Sequence, residues 1–304
     1  MEKDNRFKKV VIWGHPLGSH THSYIHASFY KTFSYLGYET YWLNNNSEIA
    51  DIDFDNCLFI TEGQVDAKIP LSPNSYYILH NVDAKKYRDT GCKILILETH
   101  TRNNQGYIEN VNKYIRYKNP EGIPHLAICW ATDLLPHEID INLARNNMNG
   151  HCFWAGTHGG GDSIFENGST LYPFFDKVRE INIPVKIIDP WSSPVSDEQN
   201  RIMVNESFVS PSIQGKWQVE NEYIPCRIFK NISYGHYGYS NSIQVKNIFD
   251  GPIIYENNTV NLFDSVIRKK NEHSHISDLV SLMEEVKEKH TYINRIEMLL
   301  KYLP

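Results

Sequence analysis

The chain has 304 residues, 41% of them hydrophobic and 22% charged, more than one hydrophobic core usually serves, which points to two domains. Its formal charge is −6 with both signs interspersed, a balance that counts against a protein built to grip a nucleic-acid backbone, though it leaves room for a local basic patch. The 5 cysteines lie far apart without a C-x-x-C pair, which argues against a disulfide framework or zinc knuckle and suits a reducing compartment.

The first residues, 1–9, are charged and lack the apolar stretch of a signal peptide. No run reaches the roughly 18 apolar residues needed to span a membrane, so the expectation is a cytoplasmic protein. Residues 9–14 read KVVIWG, a short apolar run ending in glycine, as a buried parallel strand should. A polar loop through His15, His20 and His22 follows. From 23 to 36, Tyr24, Ile25, Ala27, Phe29, Phe33 and Leu36 recur near helical spacing, with Gly37 placed as the stop. Residues 39–43 are the next strand. This opening is therefore a βαβ unit, for which a right-handed parallel crossover is the default. Further strands are expected at 57–61, 76–79 and 93–97, and an apolar segment at 123–130 leads into ATDLLP at 131–136.

A second α/β series opens near residue 150. CFWAG at 152–156 is a strand ending in glycine, and the loop THGGGD follows at 157–162. Residues 170–181 are predicted helical and 185–189 extended. Ser196 can cap a helix that starts at Asp197. Residues 226–234 suggest a helix ending at Gly235, and 253–255 a late strand. From 276 to 303, Leu279, Leu282, Val286, Ile293, Ile296 and Leu299 recur at three- and four-residue steps, as in an amphipathic helix or helix pair.

Ligands of an open parallel sheet bind beyond the carboxyl ends of its strands, and three polar segments occupy such ends. The first holds His15, His20, His22 and His26. Imidazole titrates near neutrality, which suits a general base or a substrate contact. Imidazoles also ligate metals, but no carboxylate is built into this motif and no H-E-x-x-H is present, so no metal site is expected. The second begins at Gly156 and Thr157. It lacks G-K-[ST] and G-x-G-x-x-G, but its small residues let a phosphate or sugar approach the backbone. The third carries Arg227 and Lys230, three residues apart at a helix start, where the dipole disfavours cations. A bound diphosphate would resolve that conflict, gripped bidentately by Arg and as a point charge by Lys. Satisfied structural histidines, a surface loop and a solvated cationic face are the plainer alternatives for the three segments.

Two successive α/β halves with an arginine-bearing helix late in the second resemble the GT-B group of glycosyltransferases. The stretch Arg227-Ile228-Phe229-Lys230…Gly235 resembles an R-[IL]-x-E…G pattern of that group, with Lys230 where an acid is common. HTYINRI at 290–296 resembles the H-T-Y-x-x-R segment that closes glycosyltransferases similar to the spore-maturation and group 1 families. The opening W-G-H…H-T-H-S-Y-I-H and WATDLLP at 130–136 resemble uncharacterised viral or bacterial glycosyltransferase-like proteins.

The resemblance implies an α/β, GT-B-like fold of two Rossmann-like domains facing a central cleft. Residues 1–148 would hold the acceptor, 149–275 the nucleotide-sugar, and 276–304 would pack back across the junction. The implied reaction moves a sugar from a nucleoside-diphosphate sugar to a glycan or other hydroxyl acceptor, with cations and helix amides stabilising the leaving diphosphate and no divalent metal required. His15 or His22 would be the base, with Asp133 next, and His20 and Trp130 would lie on the acceptor side. Gly156, Thr157, Arg227, Lys230, Asn231, Ser233, Gly235, Asn241 and Ser242 would face the donor. Two rivals are a sugar-nucleotide epimerase using Glu98 and Asp133, and a non-catalytic carbohydrate- or nucleotide-binding module. A variant is sugar transfer onto modified DNA bases, which the acidic charge counts against.

Overall fold

A computed structural model describes residues 3–100, 109–111, 114–119, 121–156, 167–189 and 193–304. The chain forms two compact units: residues 1–128 with 292–304, and residues 129–291. The expected boundaries after 148 and 275 both fall inside the second unit.

The first unit runs β1 (Lys9–Trp13), α1 (Ser23–Tyr35), β2 (Glu39–Leu43), β3 (Cys57–Glu62), β4 (Tyr76–His80), α2 (Lys85–Asp89), β5 (Lys93–Glu98), β6 (Glu109–Val111), β7 (Tyr114–Lys118) and β8 (Pro124–Ala127). Among the described residues these strands form one sheet in the order β2-β1-β3-β4-β5-β8-β7-β6. Every pairing from β2 to β8 is parallel, while β7 and β6 return antiparallel. Strands β3 and β4 are buried along their whole length. Successive side chains face opposite sides of a sheet, so burial of every residue requires cover on both faces and explains the unbroken apolar runs. On one face Val11, Trp13, Phe59, Tyr77, Leu79, Ile94 and Ile96 share a core. The chain's last helix, Tyr292–Lys301, also belongs to this unit and stacks Tyr292 edge-on against Phe29 of α1, with ring centroids 4.9 Å apart.

The second unit contains β9 (Cys152–Ala155), α3 (Asn167–Glu180), β10 (Val185–Ile188), α4 (Asp197–Glu206), α5 (Lys216–Glu220), α6 (Arg227–Ser233), β11 (Tyr239–Ser240), α7 (Ile243–Ile248), β12 (Ile254–Tyr255), α8 (Thr259–Lys270) and α9 (His275–Lys289). Strand β9 pairs in parallel with β10 and bridges to Val209 through Cys152. Its core gathers Trp154, Phe174, Phe175, Val209, Tyr239, Leu262 and Phe263. The C-terminal apolar stripe is thus a helix pair divided between the units, broken at His290 where ψ reaches 37°. The molecule is a mixed α/β protein with a six-strand parallel sheet. Among the described residues no helix is long and apolar enough to cross a membrane.

Candidate functional site

In the first unit the strand order reverses at β1, which has β2 on one side and β3 on the other. Such a reversal opens a crevice at the carboxyl ends of the strands. The register pairs Trp13 with Thr61, so Gly14 and His15, just past the end of β1, come beside Glu62, the last residue of β3. Gly14 is required by close approach: a Cβ there would sit 2.4 Å from the His26 ring. The His15 backbone N–H donates to His26 Nδ1 at 3.0 Å, which ties the loop to α1.

Glu62 is the centre of this end of the sheet, 1% exposed. His22 Nδ1 donates to its Oε1 at 2.6 Å, and His15 Nε2 stands 3.3 Å from its Oε2. The His20 ring stacks on His15 with centroids 4.1 Å apart, and its Nδ1 accepts from the His22 backbone N–H at 3.2 Å. Burial by itself would raise the Glu62 carboxyl, but the His22 hydrogen bond and the neighbouring imidazoles outweigh it and hold the group below its ordinary value. Burial lowers His15 and His20, and pushes His26 down to about 3. The next strands end the same way. His80 closes β4, with Nδ1 donating to the Leu97 carbonyl at 3.1 Å, and Glu98 closes β5, with His125 Nδ1 at 3.3 Å.

In the second unit β9 ends at Ala155, and Gly156 follows with φ +144°. A Cβ on Gly156 would stand 2.3 Å from Arg227 Nη2, so only glycine leaves room for the guanidinium. Arg227 donates from Nη2 to the Ala155 carbonyl at 2.9 Å, and its guanidinium carbon lies over Trp154, 3.6 Å from the ring centroid. This stacking attracts a cation to the ring face. Burial pushes Arg227 down to about 10, which still leaves it charged at neutral pH. Among the described residues no carboxylate is within ion-pair range of it.

Lys230 differs: its Nζ is 3.5 Å from Asp133 Oδ2. The Tyr234 hydroxyl also donates to both Asp133 oxygens, at 2.7 and 2.8 Å. Burial would raise Asp133, but the Lys230 charge and the Tyr234 hydrogen bond hold it below its ordinary value. Lys230 and Asp133 are therefore joined in an ion pair within the second unit. Several of the residues expected to face the donor also make hydrogen bonds within the fold. Asn231 donates to the Ser210 carbonyl at 2.8 Å, and the Ser233 hydroxyl bonds that of Thr132 at 2.7 Å. Asn241 accepts from the Gln214 N–H at 2.7 Å and donates to its carbonyl at 2.9 Å. Gly235 turns the chain at the end of α6 with φ +85°, and the Ser242 hydroxyl donates to Gln244 at the start of α7 at 3.0 Å. Trp130, expected on the acceptor side, belongs to the second unit and donates to the Tyr223 hydroxyl at 3.0 Å. Thr157 lies outside the described residues.

Sequence reading gathers the histidines but misses Glu62 and Trp154. The signal for Glu62 was a charged residue directly after an apolar strand, a position that His80 and Glu98 repeat. In sequence Trp154 is simply part of an apolar strand, and its position under Arg227 has no separate signature. The chain matches no protein-family model and no curated protein.

Proposed function

We propose that the chain is a glycosyltransferase of the two-domain GT-B kind, moving a sugar from a nucleoside-diphosphate sugar to a hydroxyl acceptor. The observation that carries this reading is Arg227: a half-buried guanidinium fixed on Trp154 at a strand's carboxyl end, beside a glycine that keeps the approach open, with no carboxylate among the described residues to neutralise it. A cation so placed suits a diphosphate, which accepts its remaining N–H groups in charge-assisted bonds.

The second unit holds the donor in this reading and the first acts on the acceptor. The acceptor oxygen bonds to the anomeric carbon as the bond from that carbon to the diphosphate oxygen breaks, and the leaving group keeps the electron pair. His22 takes the acceptor proton. With Nδ1–H held by Glu62 at 2.6 Å, Nε2 is its basic atom, and the carboxylate stabilises the imidazolium that forms. Asp133, already paired with Lys230 and Tyr234, is a weaker candidate for the base. The test is release of nucleoside diphosphate from a panel of nucleotide-sugars. His22→Ala should cut turnover by about 10²–10⁴-fold while donor affinity stays nearly unchanged. Full turnover in His22→Ala would remove this base from the reaction.

A further inference from the structure

The environment of Glu62 is unusual for a buried carboxylate. Imidazoles surround it, where a lysine or arginine commonly neutralises such a group, and only one of its oxygens is satisfied. Oε1 accepts from His22. Oε2 is buried and makes no hydrogen bond, and the His15 Nε2 that faces it at 3.3 Å is also buried and makes none. Leaving a buried donor or acceptor unmade is costly, and more so for a charged group. Two such atoms pointed at one another without bonding call for something between them.

The distances say what fits. A His15 ring nitrogen, a His20 ring nitrogen and a Glu62 oxygen all lie within 4.8 Å of one another. In a tetrahedral zinc site with bonds of about 2.0–2.1 Å, ligand atoms stand roughly 3.3 Å apart. His15 and Glu62 already have that spacing. His20 is half-exposed, in a loop whose neighbours Pro16, Leu17, Gly18 and Ser19 are exposed, so its ring can turn out of the stack with His15 to complete the set. Two elements hold the set in place: the β1–β3 register fixes His15 against Glu62, and the hydrogen bond to His26 pins the His15 backbone. The His22–Glu62 bond would then act as the outer hydrogen bond that orients a ligating carboxylate.

We propose that His15, His20 and Glu62 bind one divalent transition-metal ion, with zinc the best match to two imidazoles and a carboxylate. Three protein ligands leave a fourth position for a water or hydroxyl oxygen, the pattern of reactive rather than purely structural zinc sites. The inference goes beyond the transfer reading and replaces the expectation of a metal-free histidine loop with a definite ligand set.

The experiment uses the full chain, stripped with chelator, dialysed and titrated with Zn²⁺ by calorimetry and with Co²⁺ by visible absorption. The wild type should bind one ion per chain. His15→Ala, His20→Ala and Glu62→Gln should each weaken binding by more than the about 10–100-fold that loss of an outer hydrogen-bond partner costs. His20 is half-exposed, so His20→Ala should fold normally, as circular dichroism would verify, and it keeps the test decisive if the buried variants do not fold. His273→Ala, which removes an exposed histidine, should bind as the wild type does. Unchanged affinity in folded His20→Ala, or an equal loss in His273→Ala, would overturn the assignment. The readout needs no sugar transfer, so a chain that binds zinc but no nucleoside diphosphate would sink the transfer reading and leave this one standing.

Discussion

His236 and His275 show how single buried groups set the pH response of this chain. Burial, with the Lys270 charge nearby, pushes His236 down to about 3 and His275 down to about 4. Both are therefore neutral in the folded state at pH values where an unfolded histidine, near 6.5, is protonated. Between those values the unfolded chain binds more protons, so stability rises with pH. Their contribution is complete above about pH 6.5 and is lost as the pH falls toward 4. One proton per group corresponds to about 1.4 kcal/mol for each pH unit. Urea unfolding between pH 4.5 and 6 should show His236→Gln flattening the stability-versus-pH slope by about 1 kcal/mol per unit. An unchanged slope would mean that His236 is protonated equally in both states. The same scale shows why Glu62 could not be read as the partner of the histidine loop. It lies 40 residues from His22, and only the register of β1 on β3 brings the two together. Arg227 and Lys230 looked alike in sequence, and their surroundings separate them: an indole under one, a carboxylate beside the other.

At the scale of elements, the parallel strands were legible because burial on both faces demands uninterrupted apolar runs. The expected strands at 9–14, 39–43, 57–61, 76–79 and 93–97 match β1 to β5 to within a residue at each end. Helix ends marked by specific chemistry were legible too. Gly37 turns with φ +80° after α1, and Ser196 caps α4, its hydroxyl accepting from the Gln199 N–H while Gln199 Oε1 accepts from the Ser196 N–H, both at 3.1 Å. That reciprocal pair satisfies two amide groups with no partner inside the helix. Ser196→Ala should lower the unfolding free energy by about 0.5–2 kcal/mol in urea titrations, and no loss would mean that water serves the same groups equally well. Helices α2, α5 and α7 span only five or six residues, too short for a 3.6-residue period to register. Helix α8 escaped notice although Asn258 caps it, accepting from the Val260 and Asn261 N–H groups, and Leu262, Phe263 and Val266 mark its buried face.

For the whole molecule, the α/β class was legible in the alternation of apolar strands with helically spaced segments. A continuous stripe at 276–303 reads as one tail, whereas the chain breaks at His290 and sends its last helix into the first unit. Periodicity reports which residues are buried, and says nothing of which body buries them. The proposed transfer requires that the chain bind a nucleoside diphosphate through Arg227. Calorimetric titration of the full chain with a set of nucleoside diphosphates measures this, comparing wild type with Arg227→Ala and Arg227→Lys. At least one nucleotide should bind the wild type, with Arg227→Ala weaker by about 1.5–3 kcal/mol and Arg227→Lys only partly restored, since lysine cannot make the planar bidentate contact. No binding by any of them, or equal affinity in the wild type and folded Arg227→Ala, would contradict it.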